Sequence, residues 1–254
     1  MAELIRGAQT VMASVHSAVL LISTDPEGWQ AEKARSLGGV IVVPHGVTTR
    51  DLDVLRDRNL PYLIFSESDL PGPRIILGQR DAARRMTEQL LQHGHRRFAL
   101  LSGYDTGLDE PKRKGVHDAL QAAGIDPARV PEVSAHGKED EMFQAAREVL
   151  HLNPRPTAAI AFDDSLGSML SFHARRNEGL QIPADLSIVS FHDWPYMRYI
   201  EPTLTTASFD FFEGGKRAAE ALCHSALTGQ APTDHTFTPT YREGKTLGPV
   251  PAGA

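Results

Sequence analysis

Pro156-Thr-Ala-Ala-Ile-Ala-Phe-Asp-Asp-Ser165 reads as a buried strand that runs directly into a helix. Thr157–Phe162 carries no charge and no polar alternation, the pattern of a strand covered by helices on both faces. Two carboxylates then leave the strand, and Ser165–Asn177 takes up helical spacing before Gly179. Working outward, the same unit recurs. Ala18–Ser23, Val40–Val43, Tyr62–Phe65, Arg74–Leu77, Phe98–Leu101 and Leu186–Phe191 are further short apolar runs. Between them lie the amphipathic stretches Glu3–Val15, Arg80–His93, Lys114–Ala123, Glu141–His151 and Glu213–Leu227, several ending at a glycine suited to a helix C-terminus. Strand alternating with helix predicts an α/β fold, with parallel sheets built from right-handed crossovers.

The 254 residues divide into two α/β blocks of about 100 residues each, a workable size for separately cored units. One is expected to hold residues 1–103, joined after a crossing back of the chain by about 209–229. The other is expected to hold 104–208 with about 230–254. The tail from Gly248 is expected to fray.

Lys plus Arg number 26 against 32 Asp plus Glu, a net charge of −6. A chain that grips DNA by itself usually has the opposite sign, because phosphate contacts dominate its affinity. Cys223 is the single cysteine, so no intramolecular disulfide forms. No run approaches the roughly 20 apolar residues of a membrane span, and Met-Ala-Glu-Leu-Ile-Arg has no signal-peptide character. A cytoplasmic protein with no membrane partner is expected.

The sequence holds no Gly-rich nucleotide loop and no nucleophile elbow. Gly167-Ser168 falls inside a predicted helix. His93 and His95 flank Gly94 without Cys, Asp or Glu at ligand spacing, so no metal and no cofactor is expected; the pair instead suits helix C-terminal carbonyls. Three loops at strand ends carry the side chains of interest. Asp163 and Asp164 cannot both point the same way, so one either caps the helix or faces a ligand. His192, Asp193, Trp194, Tyr196 and Tyr199 combine hydrogen-bonding groups with aromatic faces, as sugar and heterocycle sites do. Trp194 and Tyr199 alternatively close the base of the domain, which is the expectation for Tyr199. Gly103–Arg113 brings Asp105, Asp109, Lys112 and Arg113, where a cation either holds a ligand oxygen or is merely solvated.

Gly94-His-Arg-Arg-Phe-Ala-Leu-Leu-Ser-Gly103, Pro156–Asp164, Ile182-Pro-Ala-Asp-Leu-Ser-Ile-Val-Ser-Phe-His-Asp193 and Glu201-Pro-Thr-Leu-Thr-Thr206 occur in that order. This set resembles the effector-binding and dimerisation core of the lactose-repressor/galactose-repressor family of bacterial transcription regulators, from Ala2 to about Glu243. The resemblance implies two Rossmann-like subdomains of the periplasmic-binding-protein-like type. It implies a small-molecule effector, often a sugar or nucleobase, bound between them, and a homodimer whose affinity for operator DNA changes in response. Operator DNA is read by an N-terminal helix-turn-helix module and not by the core. By position the resemblance assigns effector contacts to Asp163, His192, Lys112, Phe211 and Gln79; Asp193 and Trp194 join them from the loop reading. It implies a dimer interface from two helices, with Leu4 and Val11 on one and Met169 and Phe172 on the other; the alternative for these is ordinary core.

The chain departs from the family at His192, usually Asp, and at Lys112, usually Arg. An ammonium does not replace a bidentate guanidinium fork, so effector identity does not carry over. Asp25–Ser36 looks short for its helix. The family places the DNA-reading module and a first core strand before the helix resembling Ala2–Val15, and neither is found here, which reads as a fragment or a misplaced start codon. That strand is central in the family's sheet. Its loss is expected to orphan backbone groups on two neighbours at about 1–3 kcal/mol each, beyond the ~5–15 kcal/mol a domain has in hand. A ligand-sensing regulator core is the leading reading. A stand-alone binding protein, or an enzyme using His192 and Asp163 as acid and base, are the alternatives.

Overall fold

The computed structural model describes residues 2–14, 21–22, 38–44, 47–103, 109–135 and 139–253. They form two compact units. One contains the chain up to Gly78 and Phe209–Thr238; the other contains Gln79–Ser208, apart from a short excursion, and the chain from Pro239.

The first unit begins with helix α1, Ala2–Ser14, followed by β1, Leu21–Ile22, and β2, Val40–Val42. Helix α2, Thr49–Asp57, leads to β3, Tyr62–Phe65, and β4, Arg74–Ile76. After the return come α7, Phe211–Thr228, and β10, His235–Thr236. The strands form a sheet of order β1-β2-β3-β4-β10, parallel throughout. Every residue of β2 and β3 is buried, as required of parallel strands covered on both faces. Leu52 and Leu55 of α2 close over Val40, Val42, Tyr62 and Ile64 on one side.

Helices α1 and α7 meet at two glycines. A Cβ on Gly7 would lie 1.9 Å from the Phe212 carbonyl oxygen, and one on Gly215 would lie 2.1 Å from that of Leu4. Leu4, expected at a dimer interface, is only 1% exposed. The close helix crossing turns it into core, so it has no surface to offer a partner.

The second unit starts with α3, Gln79–Gln92, and β5, Phe98–Ser102. Helix α4, Glu110–Ala122, β6, Glu132–Ser134, α5, Glu139–His151, and β7, Ala158–Ala161, follow. Then come α6, Asp164–Arg176, β8, Ser187–Phe191, β9, Thr205–Ser208, and β11, Thr240–Arg242. The sheet order is β11-β9-β8-β7-β5-β6; all neighbours are parallel except β11, which runs antiparallel to β9. Leu166 and Leu170 of α6, with Val149 and Leu150 of α5, pack on Leu101, Ala159 and Ile188.

Four expectations are corrected. The change of unit falls after Gly78 rather than near 103, because β5 bonds to β7 and β6 in the second sheet, and the first unit regains the chain as far as Thr238. Among the described residues no gap is left for the missing central strand: Leu21 and Ile22 pair directly with Ile41 and Val42. The tail is not frayed at its start. His95 Nε2 and the Ser187 hydroxyl reach the Gly248 carbonyl at 3.0 and 3.2 Å, and Val250 N donates to the His93 carbonyl at 2.9 Å. His95 thus bonds the tail, Thr157 and Ser187 rather than a helix terminus; His93 does bond its own helix, at Gln89 O. The stretch Asp25–Ser36, and Asp105, lie outside the described residues.

Alanine at Gly215 places a methyl group against the α1 backbone. Although alanine favours helices, Gly215→Ala is expected to lower stability by about 1–3 kcal/mol, measured by urea unfolding; an unchanged or raised midpoint would contradict the close crossing.

Candidate functional site

Parallel sheets present their strand-end loops on one side, and ligands of open α/β sheets sit outside the carboxyl ends of the strands. In the second unit those ends carry Asp109 and Lys112 after β5, Asp163 and Asp164 after β7, and His192, Asp193 and Trp194 after β8. Five of the expected effector residues are therefore brought to one edge of one sheet. Gln79 opens α3, partly buried. Phe211 belongs to the first unit, where its ring stacks on Phe65 at 6.0 Å and meets Phe209 edge-on at 6.2 Å.

The Lys112 ammonium is buried. It lies 2.8 Å from Asp109 Oδ1, donates to the Phe162 carbonyl at 2.7 Å, and faces the rings of Phe162 and Phe191 at 5.7 and 5.9 Å. The expectation that it grips a ligand oxygen is corrected. A desolvated cation needs close partners, and these hold it inside the unit.

Asp163 caps α6, its Oδ1 accepting from Ser165 N at 2.8 Å. Asp164 is buried, and its Oδ2 accepts from the Trp194 amide at 2.9 Å. Burial, then the neighbouring Asp163 charge, push its pKa up to about 7, against the opposing pull of the Trp194 amide. The two adjacent carboxylates thus divide between cap and loop tie.

Asp193 is not presented to a ligand. Its side chain is only 6% exposed. Oδ2 receives Arg198 at 3.2 and 2.8 Å, and Oδ1 receives Arg242 of β11 at the same two distances. No local signal marks Arg242, which lies 49 residues away along the chain. Its role appears only once β11 pairs with β9.

His192 adopts φ 74°, a left-handed conformation unusual for a side-chain-bearing residue. Its amide donates to the Ala207 carbonyl at 2.8 Å, and its carbonyl accepts from the Thr206 hydroxyl. Burial, with Lys112 adding repulsion, holds the ring well below the ordinary imidazole range, so it is neutral. Trp194 is partly buried. Tyr199 is 87% exposed, so it does not close the base of the domain. Of the expected interface residues, Val11 is partly buried, Met169 packs partly against the second core, and Phe172 is 53% exposed.

Removing the Lys112 ammonium takes the buried cation from the Asp109 carboxylate, which keeps the Gly103 amide at 3.3 Å. Lys112→Met is expected to cost about 3–5 kcal/mol by chemical denaturation, and Lys112→Met/Asp109→Leu to recover much of that loss. A double variant as unstable as the single one would contradict the pairing.

Residues 87–247 match the model of the periplasmic binding protein-like domain. An HTH-type transcriptional regulator of Mycolicibacterium smegmatis is 29% identical over 91% of this chain and 70% of its own length. The HTH-type transcriptional regulator GalS of Salmonella typhimurium is 29% identical over 92% of this chain and 72% of its own. The structure of a LacI family transcriptional regulator from Enterococcus faecium with bound ribose superposes with a TM-score of 0.85 at 20% identity, covering 98% of this chain and 94% of that one. The α/β chain with its parallel sheets thus belongs to the periplasmic-binding-protein-like domain family, and its relatives are LacI/GalR-type transcriptional regulators.

Proposed function

We propose that the chain is the ligand-sensing core of a LacI-type regulator and binds an uncharged, hydroxyl-rich small molecule, a sugar or a close relative. The observation that carries this reading is the internal cancellation of charge at the carboxyl edge of the second sheet. Lys112 is taken up by Asp109 and the Phe162 carbonyl, and Asp193 by two arginines. Beside these pairs the strand-end loops carry the neutral His192 ring, the Trp194 indole and the helix-capping Asp163 carboxylate. A planar apolar face beside a few hydrogen-bonding groups suits a sugar ring, and the Enterococcus faecium neighbour holds ribose. Phe211, stacked on Phe65 within the first unit, and Gln79 at the start of α3 are proposed as further effector contacts on the resemblance alone.

Effector binding is proposed to shift the population of conformations of a homodimer. Operator DNA is proposed to be read by a helix-turn-helix module N-terminal to this core, in keeping with relatives named HTH-type regulators, of which the chain spans 70–72%. The relatives being regulators also points away from an enzyme. For the dimer, Phe172 on α6 is the exposed apolar candidate, with Phe143 of α5 also exposed and both rings edge-on to His173.

A thermal-shift screen of neutral sugars, nucleosides and organic acids tests the effector class. Binding at a hundredfold excess over Kd adds ~2.7 kcal/mol, and neutral sugars are expected to supply it. His192→Ala and Trp194→Ala should abolish the shift; stabilisation by organic acids alone would refute the charge argument. Phe172→Lys is expected to move the chain from dimer towards monomer in sedimentation velocity, and an unaltered dimer would exclude α6 as the interface.

A further inference from the structure

We propose that Asp164 is a positioning residue whose protonation state sets how firmly the loop carrying His192 and Trp194 is tied to helix α6. Its bearing on effector recognition rests on the function proposed above, while the tie itself stands on geometry alone. Asp164 is 1% exposed. Oδ2 holds the Trp194 amide at 2.9 Å, and Oδ1, equally buried, has no hydrogen-bond partner among the described residues. The preceding residue is a second carboxylate, fixed in place as the cap of α6. A charge on Asp164 is therefore poorly solvated and repelled, yet it strengthens the bond that ties Trp194 to α6, because an ionised acceptor holds an amide more tightly than a neutral one. The proton and the loop are linked.

The surrounding groups leave this titration isolated. From the β8 loop, His192 stays neutral by burial and the nearby Lys112, and Asp193 is bound between Arg198 and Arg242. From the turn Pro195–Tyr199, Tyr196 is pushed up by burial and by Asp164 and Asp163. Helix α5 contributes Arg147, which acts on His173 further along α6. Strands β5, β7 and β8 carry no ionisable side chain over Phe98–Ser102, Ala158–Ala161 and Ser187–Phe191. The carboxyl responds close to neutrality, about 7.

The sign follows from a folded-state value raised above the usual 3.8. The contribution to stability is complete below pH ~4, declines as pH rises to about 7, and stays low beyond it. The Trp194 tie changes in the opposite sense, loosening as the carboxyl gains its proton.

Trp29→Phe leaves Trp194 as the only tryptophan of the two in the chain, so its fluorescence can be titrated from pH 5 to 9 with no effector present. A transition with a midpoint near 7 is expected. Asp164→Asn in that background should keep the amide acceptor and abolish the transition, and its melting temperature should gain on the parent's as pH rises from 5 to 8. Asp164→Ala, lacking the acceptor, should show the loosened emission at every pH. Should Asp164→Asn fail to fold, Asp163→Asn decides: removal of the like charge must move the midpoint downward. A transition that survives Asp164→Asn, or a midpoint unmoved by Asp163→Asn, overturns the proposal. A failed effector screen touches none of these readings.

Discussion

Parallel strands deliver their loops to a single edge, and that edge must accommodate several charged side chains that are largely withdrawn from water, Asp109, Lys112, Asp164 and Asp193 among them. Charges placed there persist only with partners. Asp109, Lys112 and the Phe162 carbonyl form one closed set; Asp193, Arg198 and Arg242 form another. Each set ties a loop to a neighbouring element, so the charged residues at the strand ends shape the site rather than offer themselves to a ligand. The same edge also carries the neutral His192 ring, the Trp194 indole and the Asp163 cap, and the proposed effector class rests on that combination.

The strained backbone at His192 belongs to the same arrangement. Its left-handed conformation is held from both sides, by Ala207 through its amide and by Thr206 through its carbonyl. Asp193 is clamped on the next residue, and Trp194 is fixed by its amide to Asp164. Three successive residues are thus each anchored to a different element of the second unit, which is the preorganisation a recognition loop needs.

Much of the fold was legible in the sequence because its signals were local. Apolar runs such as Val40–Val43 and Phe98–Leu101 can only be strands buried on both faces. The six longer amphipathic helices carry an unbroken stripe. What escaped was short or long-range. Helix α2 spans nine residues, and β6, β9, β10 and β11 are short and carry polar residues, so periodicity does not mark them. The change of unit after Gly78 was hidden because no composition shift accompanies it. For the site, strand-end position marked the right loops, but not which side chains are free. Nothing along the chain announces that Arg242 engages Asp193, or that Lys112 turns inward to Asp109. Likewise the apolar stripe on α1 did not distinguish core from interface, and only the glycine crossing with α7 places Leu4 inside.

The reading that the loops after β7 and β8 receive a neutral ligand is tested most directly by amide hydrogen exchange. The chain is measured with and without a pool of neutral mono- and disaccharides at millimolar concentration. The account predicts slowed exchange in 162–166 and 191–199 of the second unit. Ligand binding that leaves both segments unchanged, with protection confined elsewhere, would contradict it.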